Sequence, residues 1–319
     1  MKNIKLKNTD LTVSNIAMGT DSLGSLVNKK DSFELLDCYA DCGGNIIDTA
    51  EGYASWVDGG EHASENVIGE WLATRKKRGS MVISTKGAYY KYGAEHRLTE
   101  KDIFSDLDGS LDRLKTDYID IYWLHRDSSE VTVEEIMDIL AKAVKQGKVR
   151  YIGLSNWSYK RIEEANTYAK SMNIPQVIAS QIQYSAAHPN IENNEPDLVI
   201  MNDEEYEYFK NHDLTIFAFA SQAKGFFSKY LKGGREALSP KAYARYYNEE
   251  TLNRFKRLDK IRKEHDCSIG AGAIAAICNN YDFDTIPIIG CKNTEQLKDS
   301  LSGGNINLSR EEMDFIYGR

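Results

Sequence analysis

The chain has 319 residues and a formal net charge of −8, enough length for a large buried core. An acidic chain whose longest basic run is Arg75-Lys76-Lys77-Arg78 is a poor partner for nucleic acid. No stretch approaches the ~20 apolar residues of a membrane helix, and the segment Met1-Lys2-Asn3-Ile4-Lys5-Leu6-Lys7 lacks an apolar core of signal-peptide length.

Five cysteines (Cys38, Cys42, Cys267, Cys278, Cys291) are scattered and odd in number. Cys38 and Cys42 are four residues apart on an apparent helix, with no second pair to complete a zinc site. Reduced thiols in a cytoplasmic protein without a metal centre are expected.

In chain order, residues 3–7 and 11–14 flank the turn formers Asn8-Thr9-Asp10 and predict a small hairpin. Ile16-Ala17-Met18 is the first buried strand. Helical spacing runs from Ser32 to Ala40, with Phe33, Leu36 and Ala40 on the inward face. Strand 45–47 is followed by a helix from Ser64 to Arg75 with Val67, Ile68, Trp71 and Leu72 as its apolar stripe. Strand 81–85 precedes a helix opened by Thr99-Glu100-Lys101-Asp102, a capping-box-like pattern, with Ile103, Leu107, Leu111 and Leu114 inward.

Strand 118–124 leads to a helix capped at Thr132, with Ile136, Leu140 and Val144 inward and Gly147 as its stop. Then come strand 149–154, a helix over 159–171, strand 177–182, an irregular loop over 186–199, a helix over 204–212 and strand 214–219. A second long loop is predicted for 224–247. Helices near 249–264 and 270–279, strand 285–289 and helices at 294–301 and 309–317 complete the chain. The last helix starts with the capping box Ser309-Arg310-Glu311-Glu312.

Eight apolar runs alternating with helical patterns predict a closed (β/α)8 barrel formed by residues 1–319 as one domain, with a short N-terminal β-hairpin and long loops at the C-terminal mouth. An open doubly wound sheet is the competing architecture. It calls for a Gly-x-Gly-x-x-Gly turn after the first strand, and Gly19-Thr20-Asp21-Ser22-Leu23-Gly24 does not match it.

Three successive strand ends carry reactive groups. Asn45-Ile46-Ile47 leads into Asp48, with Tyr53 five residues later. Met81 to Thr85 leads into Lys86, and Tyr118 to Leu124 into His125. In a barrel all four lie at the C-terminal mouth, where such folds do chemistry. Tyrosine is a weak acid, with a reference pKa of about 10. A nearby ammonium favours phenolate, so Lys86 is expected to lower that value while Asp48 keeps the lysine charged. His125 is then a second donor for a carbonyl oxygen. This is a general-acid device for protonating oxygen while a hydride attacks carbon. Singly, each residue has an ordinary structural explanation: Asp48 as a turn cap, Lys86 as a surface lysine, Tyr53 as one of 19 tyrosines, His125 as a strand-end histidine.

The ordered motifs resemble the aldo-keto reductase family along essentially the whole chain. They are Asp48-Thr49-Ala50-x-x-Tyr53, Ser64-Glu65-x-x-Ile68-Gly69, Ile83-Ser84-Thr85-Lys86, the stretch from Asp112 to His125, and Gly147 to Asn156. The resemblance implies Tyr53 as proton donor, Lys86 and Asp48 as its tuning pair, and His125 as the carbonyl-orienting partner. It implies an extended NAD(P)H across the barrel mouth, with NADP preferred and NAD as the alternative. Gly19, Thr20 and Asp21 match one wall of that site, and Asp48 borders it. Ser155, Asn156 and Gln181 match the carboxamide holders, and Phe219 matches the aromatic under the nicotinamide. The stretch from Ala218 to Gly225 departs from the family's commoner Ala-Tyr-Ser-Pro-Leu, so Ala220, Gln222 and Lys224 are carried over by position. The adenine end falls on Gly290, Lys292, Gln296 and Ser300, where a helix N-terminus plus Lys292 suits a phosphate.

The expected substrate is a small carbonyl compound, including sugar-derived ones, met by Tyr53, His125, Trp56 and Trp157. Trp123 and the run Tyr89-Tyr90-Lys91-Tyr92 also fall near strand ends. Monomer and homo-oligomer are both open. Two other readings compete: a nicotinamide-sensing module on the same fold, as in the family's potassium-channel β subunits, and a Schiff-base lyase using Lys86. The second leaves Tyr53, Asp48 and Ser155-Asn156 without a role.

Overall fold

A computed structural model describes residues 1–319. Its strands are β1 (Asn3–Lys5), β2 (Thr12–Ser14), β3 (Ala17–Gly19), β4 (Ile46–Asp48), β5 (Val82–Gly87), β6 (Ile119–Leu124), β7 (Val149–Ser155), β8 (Val177–Gln183), β9 (Thr215–Phe219) and β10 (Thr285–Ile289). Strands β3 to β10 form a closed parallel barrel in chain order, β10 pairing with β3. Strands β1 and β2 form the expected antiparallel hairpin. Leu6, Leu11 and Val13 from that hairpin pack with Ala17, Ile46, Val82, Ile121, Trp123, Phe217 and Ile286 from the strands. The hairpin therefore closes the end of the barrel away from the strand C-termini.

The helices are α1 (Lys29–Asp41), α2 (Ala63–Arg75), α3 (Glu100–Leu114), α4 (Val133–Lys145), α5 (Tyr159–Met172), α6 (Asp203–Lys210), α7 (Phe226–Gly233), α8 (Pro240–Tyr246), α9 (Glu249–Glu264), α10 (Ile269–Cys278), α11 (Thr294–Ser302) and α12 (Arg310–Tyr317). The outward strand residues and the inward helix faces share one large apolar layer, including Ile47, Ile83, Trp71, Leu107 and Leu140. No helix is long and apolar enough to cross a membrane.

Two expectations are corrected. Helix α1 begins at Lys29, because the Asn28 side chain caps it by accepting from the Asp31 N–H at 3.0 Å. Its buried face is Ser32, Leu35, Leu36 and Tyr39, with Phe33 and Ala40 only half-buried. Tyr39 carries its buried hydroxyl to the Ile16 carbonyl at 2.8 Å, beside Ser14 Oγ at 2.9 Å. The 224–247 segment is no open loop, since it holds α7 and α8. Ser239 caps α8 and Pro240 occupies its first turn, a start signal present in the sequence. Phe226, Phe227 and Tyr246 are buried in a second apolar cluster with residues of α9, α10 and α12.

Candidate active site at the barrel mouth

Side chains alternate along a strand, so residues two apart share a face. Ala17, Ile46, Val82, Trp123, Phe217 and Ile288 face the barrel interior. Two residues further on from them lie Gly19, Asp48, Ser84, His125, Phe219 and Gly290. Lys86 follows Ser84 by the same step. Alternation thus delivers the candidate residues to one end of the barrel.

Lys86 is the hub. Its ammonium donates to Asp48 Oδ2 at 2.6 Å, to the Thr49 carbonyl at 2.9 Å and to the Tyr53 hydroxyl at 2.9 Å. Asp48 is fully buried and Lys86 is 1% exposed. Burial pulls the Lys86 ammonium below its ordinary range, against the Asp48 carboxylate, which pushes it up. The loop bearing Tyr53 is fastened by the Glu51 N–H, which donates to the Lys86 carbonyl at 2.9 Å.

The expected acidification of Tyr53 is not found in the free protein. Burial first, and the Asp48 carboxylate second, push its phenol well above the ordinary range. The pairing of Lys86 with Asp48 spends much of the ammonium's field on the carboxylate. Tyr53 therefore holds its proton, as a donor must before it is used. His125 has its ring centroid 5.9 Å from that of Tyr53 and 5.0 Å from that of Tyr89. Burial, then the charges of Lys86 and Arg126, hold the imidazole well below its usual pKa, so it is neutral. Its buried Nδ1 has no partner in the protein.

Several predicted cofactor residues meet at the mouth. Asn156, in a left-handed conformation at φ 60°, donates to the His125 carbonyl at 3.2 Å and to Ser155 Oγ at 3.3 Å. Gln222 bridges the β10 end and α11: its Oε1 accepts from the Gly290 N–H at 3.0 Å, and its Nε2 donates to Ser300 Oγ at 3.0 Å. Lys292 is exposed beside them, its N–H donating to Gln296 Oε1 at 3.1 Å. Phe219 and Ala220 are half-buried at the β9 end, and Asp21 and Lys224 lie exposed at the rim. At Gly19 an added Cβ would come within 2.8 Å of Ile288 and 3.1 Å of the Ile289 carbonyl, so only glycine fits.

Other predicted residues are placed differently. Thr20 is fully buried and its hydroxyl donates to the Asp48 carbonyl at 2.8 Å, so its side chain supports β4 from within. Gln181 gives its Nε2 to Asp48 Oδ1 at 3.0 Å. Trp157 is fully buried, with its indole donating to the Arg126 carbonyl at 3.3 Å and Arg161 over its ring. A substrate has no access to it. Trp123 is likewise buried inside the barrel. Trp56 alone of these tryptophans is open, 60% exposed, with its edge toward Tyr53 at 6.3 Å between centroids.

Ser84 was read only as part of the lysine motif and Tyr89 only as part of an aromatic run near a strand end; their contacts with Asp48 and His125, and any role for Arg126, were not anticipated. Arg126 donates to Asp197 Oδ2 at 2.8 Å and so ties the 186–199 loop to the strand end bearing His125. Period-two spacing from Lys86 points to Ser84. Nothing in the sequence pairs Arg126 with Asp197.

The fold and site are those of a parallel (β/α)8 barrel carrying a buried lysine–carboxylate pair bonded to a tyrosine at its C-terminal mouth. The model of the Aldo/keto reductase family matches residues 15–317. An aryl-alcohol dehydrogenase from Pestalotiopsis microspora is 30% identical over 95% of this chain and 78% of its own length. An aryl-alcohol dehydrogenase [NADP(+)] from Phanerodontia chrysosporium is 30% identical over 96% and 82%. The crystal structure of the thermostable aldo-keto reductase Tm1743, in complex with the inhibitor epalrestat, superposes with a TM-score of 0.74 at 24% identity. It covers 100% of this chain and 99% of the other and shows the shared fold. This chain belongs to the aldo/keto reductase family and is an oxidoreductase.

Proposed function

We propose that this protein reduces an aldehyde or ketone to the alcohol with NADPH, and runs in reverse as an alcohol dehydrogenase. The observation that carries the reading is the Lys86 ammonium shared among Asp48, Thr49 and Tyr53, with neutral His125 beside the phenol. Tyr53 gives its proton to the carbonyl oxygen. Lys86 then faces the phenolate at hydrogen-bond distance, which is where a cation stabilises developing negative charge most. A neutral imidazole at His125 donates one N–H to the same oxygen without competing for the proton.

Bound NADPH would supply the hydride. The residues present fit a nicotinamide cofactor: half-buried Phe219 offers a ring face, and Gln222 ties the β10 end to α11 beside exposed Lys292. Lys292 near that helix N-terminus favours the extra phosphate of NADP, with NAD as the weaker ligand. The names of the fungal relatives support aromatic aldehydes and aryl alcohols as the first substrates to try, and exposed Trp56 suits an aromatic or sugar ring. The test is oxidation of NADPH and NADH against aldehydes, ketones and keto sugars, with Tyr53→Phe alongside. Turnover lost in the variant supports the reading. NADPH binding without turnover on any of the panel favours a sensing module instead.

A further inference from the structure

We propose that Ser84 and Trp123 are positioning residues that lock the Asp48 carboxylate, so that one oxygen serves Lys86 while the other is held from inside the barrel. The inference rests on the carbonyl-reductase reading above and adds to it a chain of side chains behind the lysine.

Ser84 is the direct cross-strand partner of Asp48 on β5. Its hydroxyl donates to Asp48 Oδ1 at 3.0 Å and accepts from the Trp123 indole N–H at 2.6 Å. An indole N–H can only donate, so Ser84 must be the acceptor there. Its single proton is thereby directed to Asp48. The tryptophan is itself fixed. It is fully buried, its ring meets Phe217 edge-on at 5.2 Å, and it lies over Gly153, where a Cβ would fall 2.2 Å from the ring. Trp123, Ser84 and Asp48 thus form a one-directional hydrogen-bond chain that ends at the carboxylate bonded to Lys86.

The second donor to Asp48 Oδ1 is Gln181 Nε2, from β8, at 3.0 Å. In the reductase reading Gln181 would also meet the cofactor's carboxamide and so be pulled two ways when cofactor binds. Ser84 is not, because its other partner lies in the barrel core. With Ser84 in place, Oδ1 keeps a donor throughout turnover, and Oδ2 stays turned to Lys86. Without it, Oδ1 is left with Gln181 as its one side-chain donor, the carboxylate is held less firmly, and the Lys86–Tyr53 hydrogen bond loosens.

The test uses the full chain with NADPH and the best carbonyl substrate of the panel, comparing wild type, Ser84→Ala, Trp123→Phe and the double variant. Unchanged circular dichroism and NADPH affinity establish that each is folded. Ser84→Ala is expected to lower kcat ~10-fold, the scale of a lost hydrogen bond to a charged group. KM for the carbonyl should stay within about twofold, since only transition-state positioning is lost. The solvent deuterium isotope effect on kcat should rise, because proton donation from Tyr53 becomes slower. A general loss of packing would not move that isotope effect. Trp123→Phe should give a smaller fall of the same kind, and the double variant should be no slower than Ser84→Ala, because the indole acts only through the serine. Ser84→Ala with wild-type kcat and isotope effect, or two single effects that multiply, would overturn the proposal while leaving the reductase reading intact. Absence of carbonyl turnover in the wild-type protein would overturn both.

Discussion

Lys86 Nζ lies 2.6 Å from Asp48 Oδ2, and both side chains are shut away from solvent. Removing one partner of such a pair strands the other. Lys86→Met should therefore cost both activity and about 3 kcal/mol of stability, from the uncompensated Asp48 charge. A denaturant titration checks the second effect, and the double variant Lys86→Met/Asp48→Asn should regain part of the stability but no turnover.

Tyr53→Phe removes one oxygen and leaves the Asp48–Lys86 pair whole. Turnover should fall by at least ~10²-fold, the usual contribution of a placed general acid. NADPH affinity, read by fluorescence titration, should stay near wild type. Equal loss of binding and turnover would contradict a proton-donor role.

His125 makes stability depend on acid. Its folded pKa is depressed, so the unfolded chain takes up a proton near the ordinary value of ~6.5 while the folded chain does not. The stability it contributes is present above that pH and is lost as pH falls below it, by up to ~1.4 kcal/mol per pH unit. Replacing His125 with Phe should flatten the decline in Tm between pH 6.5 and 5.

Glu205 works in the opposite direction. It is 4% exposed, accepts from the Tyr159 N–H at 3.1 Å, and has a second carboxyl oxygen with no partner. Burial raises its pKa from 4.5 to about 7. Between those two values the folded protein holds a proton that the unfolded chain has released, so stability falls as pH rises from 4.5 to about 7 and levels off above it. Glu205→Gln keeps the acceptor and has no charge to bury. It should raise stability at pH 8 by ~2 kcal/mol and have little effect at pH 4.

Lys292 is exposed at the start of α11, so its replacement should leave stability unchanged. Lys292→Ala should raise KM for NADPH ~10-fold and leave KM for NADH alone, the scale of a charge-assisted contact to phosphate. Equal weakening of both cofactors would show that Lys292 does not reach the 2′-phosphate.

The barrel, the order of its strands and the strand ends that carry Asp48, Lys86 and His125 were legible from the sequence. Local periodicity reports which face of each strand and helix is apolar, and eight such units have one good closure. Asp48, Lys86 and His125 were legible because they interrupt apolar runs at the same end of successive strands. What those residues touch was set by the folded packing. Whether Lys86 raises or lowers the acidity of Tyr53 depends on burial and on where Asp48 spends the ammonium's charge, and neither is a property of spacing. Gln181 turning toward Asp48, Trp157 sinking out of reach, and Phe226, Phe227 and Tyr246 of the 224–247 segment packing into the second cluster have the same origin. Each depends on which distant side chains fill the space around it, and contacts such as Trp123 over Gly153 or Arg126 with Asp197 exist only once the barrel has closed.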